Sequence, residues 1–331
     1  MALLGKASTA YLSARSSRGS LMQENIAFQT PNAPAWQRWL VFSPLARIVI
    51  FAALAFGIGF VVHGGVAALG WTSKTASPLD HVLAGLSIEL LATVIGYAIL
   101  VLFIERRPLR ELSLRAIPTY GIAGLVGGFL IFSTVVGLLW LFGSYHVLGT
   151  NASVNWAHAI LITGITAGIG EEIATRGVLF RVIEEGLGTW WALAISAIFF
   201  GAAHIFNPGA TLWSSAAIAI EAGILLALIF IVTRTLWACI GLHAAWNITQ
   251  GAIYGIPVSG TTDKGWLISS RTGPDWLSGG VFGAEASVLA LAVSLVVSAV
   301  LLRIALRRGR IVKPSWSRRR VTPAFEATPT S

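Results

Sequence analysis

Residues 157–180 read AHAILITGITAGIGEEIATRGVLF, and this stretch decides the fold. From Ala157 to Gly170 it holds no Asp, Glu, Lys or Arg; then Glu171 and Glu172 arrive together. About 20 mainly apolar residues cross the hydrocarbon core of a bilayer as a helix. An ionisable side chain at that depth costs about 2.5 to 3.5 kcal/mol on insertion scales. A chain that places paired glutamates there uses them.

The rest of the chain is of the same kind. Its 331 residues are 55% hydrophobic and only 11% charged, with mean hydropathy +0.76. An ordinary soluble domain is about 25% charged. The 35 glycines allow close helix approach, and the 13 tryptophans suit the headgroup zone. Cys239 is the one cysteine, which excludes an intramolecular disulfide or a cysteine-based metal site. The N-terminus has Lys6, Arg15, Arg18 and Arg38 but no long apolar block, so it is not read as a signal peptide.

Periodicity and length predict an all-α, polytopic membrane protein with about eight transmembrane helices. The spans fall near 48–70, 82–104, 120–142, 157–180, 189–206, 212–233, 235–255 and 281–302. The expected organisation is a polar cytoplasmic arm (1–44), N-terminal transmembrane helices (45–154), a core (155–256), an outer loop with the last helix (257–302) and a basic cytoplasmic tail (303–331). The arm and the tail are expected to be mostly flexible.

The net charge of +9 points to membrane orientation, not to nucleic acid. Arg106, Arg107, Arg110 and Arg115 follow the second span, Arg181 the fourth, Arg234 the sixth and the basic tail the eighth. The intervening loops hold only Lys74, Lys264 and Arg271. The positive-inside rule then puts both termini in the cytoplasm, as an even number of spans also requires. In a bacterium the membrane would be the plasma membrane.

Three further polar residues interrupt apolar helices: His204, His243 and Asn247. Glu172 and Arg176 are four apart and share a helix face, whereas Glu171 is turned about 100° away. One glutamate can pair while its neighbour takes another role. Glu171 lies 16 residues before position 187 and His204 lies 17 after it. In an antiparallel hairpin both sit about 25 Å from the turn, at matching depth. His243 and Asn247 project from one face of the seventh span.

This chemistry suits amide hydrolysis. A glutamate acts as general base on water. His204 holds that water, or a metal carrying it. His243 and Asn247 donate to the oxyanion. One Glu with two His is also the ligand set of an open zinc site, so metal-bound and metal-free water are both open. Glu89 and Glu221 are further acids in lipid-depth helices; Glu221 is a candidate for the same cavity, but the favoured reading is that each bonds a neighbouring helix while protonated. Arg181, Glu184 and Glu185 read as a solvated helix end.

In order, the chain carries EExxxR (Glu171, Glu172, Arg176), FxxxH (Phe200, His204) and HxxxN (His243, Asn247). This set resembles the motifs of the CAAX protease and bacteriocin-processing family of intramembrane proteases, often labelled CPBP or Abi, over roughly residues 155–255. The resemblance implies a CAAX-protease-like helical bundle with type II CAAX prenyl endopeptidase-like activity. By it, Glu171 is the base, His204 its water or metal partner, and His243 with Asn247 the transition-state stabilisers. Glu172, Arg176 and Phe200 support them. A family zinc would take Glu171, His204 and His243; a metal-free glutamate mechanism is the alternative. The expected partners are the lipid bilayer and a membrane-associated protein or peptide, of CAAX or bacteriocin-leader type. Two other readings share these residues. One is a non-catalytic immunity or peptide-binding protein of the same fold. The other is a proton-coupled transporter using Glu89, Glu171, Glu172 and Glu221.

Overall fold

The computed structural model describes residues 33–262 and 264–318. After a short helical turn, Ala35–Leu40, eight long helices follow. They are α1 (Pro44–Ala68), α2 (Pro78–Ile104), α3 (Leu114–Leu141), α4 (156–187), α5 (Thr189–Phe206), α6 (Leu212–Thr233), α7 (236–253) and α8 (Val288–Arg307). Local chemistry starts them. Ser43 caps α1 ahead of Pro44, Ser77 and Asp80 form a capping box on α2, and Ser287 caps α8.

Six of the eight are long and apolar enough to cross a membrane. The chain is an integral membrane protein. On α1, Phe56, Phe60 and Val61 are exposed along a helix that is only 11% buried over its most apolar window. The two helices below that threshold, α4 and α7, carry most of the candidate site. They can be more polar because they are enclosed by protein. In Leu236–Asn247 every residue except Trp237 is buried.

Small residues draw the outer helices onto α7. A Cβ on Gly124 would overlap the Ala238 carbonyl oxygen, one on Gly128 that of Leu242, and one on Gly241 that of Gly121. These positions allow α3 and α7 to touch backbone to backbone, as GxxxG-type seams do. On the other side of α7, a Cβ on Gly168 of α4 would stand 3.1 Å from the Ile240 carbonyl oxygen.

Helices α4 and α5 meet at a single residue, Gly188, in the left-handed region at φ 84°. This junction is clamped. Thr189 N donates to Val312 O at 3.0 Å, and Val312 N donates to Thr189 Oγ1 at 2.8 Å. Arg234 pairs with Glu184, and Arg318 donates to Glu185 O. Residues 310–318 therefore pack back onto the bundle, contrary to the expectation of a flexible tail. Residues 319–331 of that tail, and 1–32 of the N-terminal arm, lie outside the described residues.

The expectation of a solvated end at Arg181, Glu184 and Glu185 is also corrected: all three are buried. Arg47 at the start of α1 donates to Glu105 at 2.8 Å and to Glu185 at 2.6 Å. Arg181 donates to the same two carboxylates, both at 2.9 Å. Burial pushes the Glu105 carboxyl up, but Arg181, Arg107 and Arg47 together outweigh it and hold it below the usual range.

One element is β. Tyr145–Thr150 and Leu267–Arg271 pair antiparallel, with a register break between Val147 and Gly149. The ribbon joins the loop after α3 to the loop before α8. The last helix also begins later than expected. Residues 281–287 form an irregular segment with the short turn Ala284–Ala286, and α8 proper starts at Val288.

Candidate functional site

Glu171 and Glu172 sit on α4 between two stretches of wider, π-type winding, Ala159–Thr166 and Ile173–Phe180. Such windings collect at functional sites. Threonine hydroxyls meet the carbonyls of the widened turns. Thr166 Oγ1 donates to Leu161 O at 2.6 Å, and Thr175 Oγ1 donates to Glu171 O.

Glu172 is fully buried and binds two cations or donors at one oxygen. Its Oε1 accepts from Arg176 Nη1 at 2.8 Å and from His243 Nδ1 at 2.9 Å. Arg176 is itself buried. It donates to Thr175 Oγ1 at 2.9 Å and, through Nη2, to the α6 carbonyls of Ala222 at 2.9 Å and Gly223 at 3.1 Å. Its guanidinium lies 4.7 Å from the centroid of the Phe200 ring. The carboxylate, the guanidinium and the aromatic ring thus fix α4, α5, α6 and α7 against one another.

Glu171 turns the other way, with its side chain 40% exposed. Its Oε2 lies 4.0 Å from His243 Nε2 and has no hydrogen-bond partner among the described residues. His243 therefore stands between two carboxylates of different character. One is buried and bonded; the other is half open and unbonded. Glu89 of α2 is exposed and lies within range of the Glu171 charge.

His204 closes α5. Its Nδ1 is 2.7 Å from Phe200 O. A carbonyl oxygen only accepts, so Nδ1 carries a proton and Nε2 of the neutral ring is an acceptor. The Phe200 ring contacts both imidazoles, with centroids 4.7 Å from His204 and 6.3 Å from His243. Asn247 donates through Nδ2 to Thr163 O at 2.9 Å, which ties α7 to α4 and sets the direction of the amide.

His204, His243 and Asn247 line one cavity of about 40 Å³. Glu171 is not part of that wall; it reaches His243 from the rim. Glu221 does line the cavity, the less favoured of its two sequence readings, and its Oε2 bonds no neighbouring helix among the described residues. Glu285 lines it too and was missed by the sequence reading. The available signal was an isolated acid in the apolar run 281–302. Glu285 Oε1 accepts from Ser259 N, and burial lifts its carboxyl to about 7.

The residues proposed from sequence to hold zinc, Glu171, His204 and His243, do not converge as a ligand set. Among the described residues, no three His, Cys, Asp or Glu side chains are grouped to hold a metal ion. Both imidazoles already commit Nδ1, one to Glu172 and one to a carbonyl. These bonds leave Nε2 of both rings free, as in metal-ligating imidazoles, so a zinc held by Glu171, His204 and His243 stays a proposal, and the mechanism uses none.

Fold and site together define a polytopic helical membrane protein with a Glu–His–Asn constellation enclosed by its helices. Residues 153–249 match the family model described as Type II CAAX prenyl endopeptidase Rce1-like. The match covers less than a third of the chain, and over that segment the chain is similar to CAAX-type intramembrane proteases. It spans all three motifs, from Glu171 to Asn247. No curated protein and no solved structure matches the chain.

Proposed function

We propose that this chain is an intramembrane endopeptidase that hydrolyses a peptide bond in a membrane-associated protein or peptide, with Glu171 as the general base. The observation that carries this reading is the placing of His243. Its ring is held by Glu172 at 2.9 Å and faces the open carboxylate of Glu171 at 4.0 Å, on the wall it shares with His204 and Asn247.

The residues divide the reaction as follows. Water sits between Glu171 and His204 Nε2, which accepts one of its hydrogen bonds. Glu171 takes a proton as the water oxygen attacks the scissile carbonyl carbon. The oxyanion that forms accepts from the second Nδ2–H of Asn247 and from His243 Nε2–H. His243 donates there with both ring nitrogens protonated, and Glu172 balances that charge. Collapse breaks the C–N bond, and the proton held by Glu171 passes to the leaving amine. Arg176 and Phe200 hold Glu172 and the two imidazoles in register.

The substrate is presented from the membrane, as a CAAX-type or leader-type peptide. Both termini lie on the cytoplasmic side of the membrane, which in a bacterium is the plasma membrane. The joining of the arginine-rich end of α2 to the ends of α4 and α6 and to residues 310–318 supports that common side. The test is cleavage of a lipid-anchored quenched peptide in proteoliposomes. Glu171→Gln keeps the shape of the side chain and removes the base, so turnover falls by at least about 10²-fold. Undiminished turnover by that variant refutes the assignment.

A further inference from the structure

The cavity beside the imidazoles has a second chemistry. Its wall includes Ile218, Leu225, Leu226 and Leu242, yet two carboxyl groups face into it from opposite sides of the chain. Glu221 comes from α6 and is 1% exposed; Glu285 comes from the turn before α8 and is 3% exposed. Glu221 Oε2 is buried and has no hydrogen-bond partner among the described residues. The charge of Glu285 acts on Glu221, and that of His243 on Glu285.

Among the described residues, no Lys, Arg or His forms an ion pair with Glu221. Arg176, the arginine closest along the motif, is committed to Glu172, Thr175 and the carbonyls of Ala222 and Gly223. Arg271 interacts electrostatically with Glu285, and its Nη1 donates to Ser278 O. Burying a carboxyl with an unmet oxygen is unfavourable unless a partner arrives. The pair is not part of a metal-ligand group among the described residues.

We propose that Glu221 and Glu285 form the subsite for a positively charged side chain of the substrate, lysine or arginine, next to the bond that is cut. This rests on the protease reading for the position of the bond, but not for the binding of the cation. A long basic side chain matches both halves of the wall. Its methylenes lie along the leucines and isoleucine, and its head meets the carboxylates in charge-assisted hydrogen bonds. The cavity of about 40 Å³ has room for about three water-sized groups, the size of a cationic head with its last methylenes. Glu285 is held in place by Ser259 N, which leaves Glu221 Oε2 as the oxygen that awaits a donor.

The test uses lipid-anchored quenched peptides of Ala and Leu that carry Lys, norleucine or Glu at one position near the centre. Norleucine keeps the methylenes and removes the charge. The full chain is reconstituted in nanodiscs, and two quantities are read: cleavage by the wild type, and Kd for the same peptides with the Glu171→Gln protein. The expected result is a preference for Lys over norleucine of about tenfold or more in Kd, the size of a hydrogen bond to a charged group. Glu221→Gln and Glu285→Gln, each placed in the Glu171→Gln background and each checked for a monodisperse peak, move that ratio toward one. Equal binding of the three peptides overturns the proposal, as does an unchanged Lys preference in both variants. Equal binding with cleavage removes the cation subsite and leaves the protease. A Lys preference without wild-type cleavage keeps the subsite and removes the protease reading.

Discussion

Replacing Arg176 by Ala tests the packing that surrounds the site. Arg176 is 1% exposed and makes four hydrogen bonds, to Glu172, Thr175, Ala222 O and Gly223 O. Truncation leaves Glu172, itself buried, with His243 as its remaining partner. Breaking a buried ion pair from one side costs about 3 to 5 kcal/mol. Each carbonyl left without its donor adds about 1 kcal/mol at the low end. The total is about 5 kcal/mol or more, which is the scale of a whole domain's stability. Arg176→Lys keeps the charge beside Glu172 but replaces a fork by a point, so it does not span Glu172 and the α6 carbonyls together. It is expected to cost about 1 to 3 kcal/mol. If the uncompensated carboxylate dominates, adding Glu172→Gln to Arg176→Ala recovers part of the loss. Fluorescence-detected size exclusion and thermal melting in detergent give the order: wild type, then Lys, then the double variant, then Ala. A monodisperse Arg176→Ala peak with an unshifted melt refutes the reasoning.

Glu172→Gln weakens the hold on His243 without removing bulk. Activity on the quenched peptide is expected to fall by at least about 10²-fold, with a lowered melting temperature that Glu171→Gln does not show. Glu285 has a raised carboxyl, near 7. The folded state therefore binds more protons than the unfolded one between the ordinary value of 4.5 and about 7. Stability falls as pH rises through that window, by up to roughly 3 kcal/mol. Glu285→Gln flattens this part of the pH–melting curve, and an identical slope in wild type and variant would count against it. Gly124→Val forces a side chain against the Ala238 carbonyl and separates α3 from α7. Folded yield drops sharply, whereas Gly64→Val on the open face of α1, where nothing lies within 4 Å, keeps it.

The geometry of the candidate site was legible in the sequence where it rests on local periodicity. Glu172 and Arg176 pair across one helical turn as their spacing requires. The three motifs lie on α4, α5 and α7, with His204, His243 and Asn247 on one cavity. What was not legible depends on partners far along the chain. Glu184 and Glu185 looked solvated because their neighbours in sequence are charged. Glu185 is instead buried by Arg47, 138 positions away. Glu285 looked like an acid inside the last helix. Its access to the cavity comes from the break at Gly283, whose φ of 138° stops the helix from starting early. The ribbon of Tyr145–Thr150 and Leu267–Arg271 pairs two loops on either side of the core, and neither strand has a hairpin turn to announce it.

The one-residue junction at Gly188 makes helices α4 and α5 a pair of tweezers. Glu171 and His204 are 17 and 16 residues from the pivot, so each arm is about 25 Å long. A rotation of about 5° at the pivot moves an arm tip by about 2 Å. Misplacement of about 1 Å can cost 10²-fold in rate. The angle between the arms must then be held to a few degrees from the far end. The hydrogen bonds of Thr189 with Val312, and of Glu185 with Arg318, are the clamp at that pivot. Leverage makes the last described residues of the chain part of the tolerance of a site at the other end of the bundle.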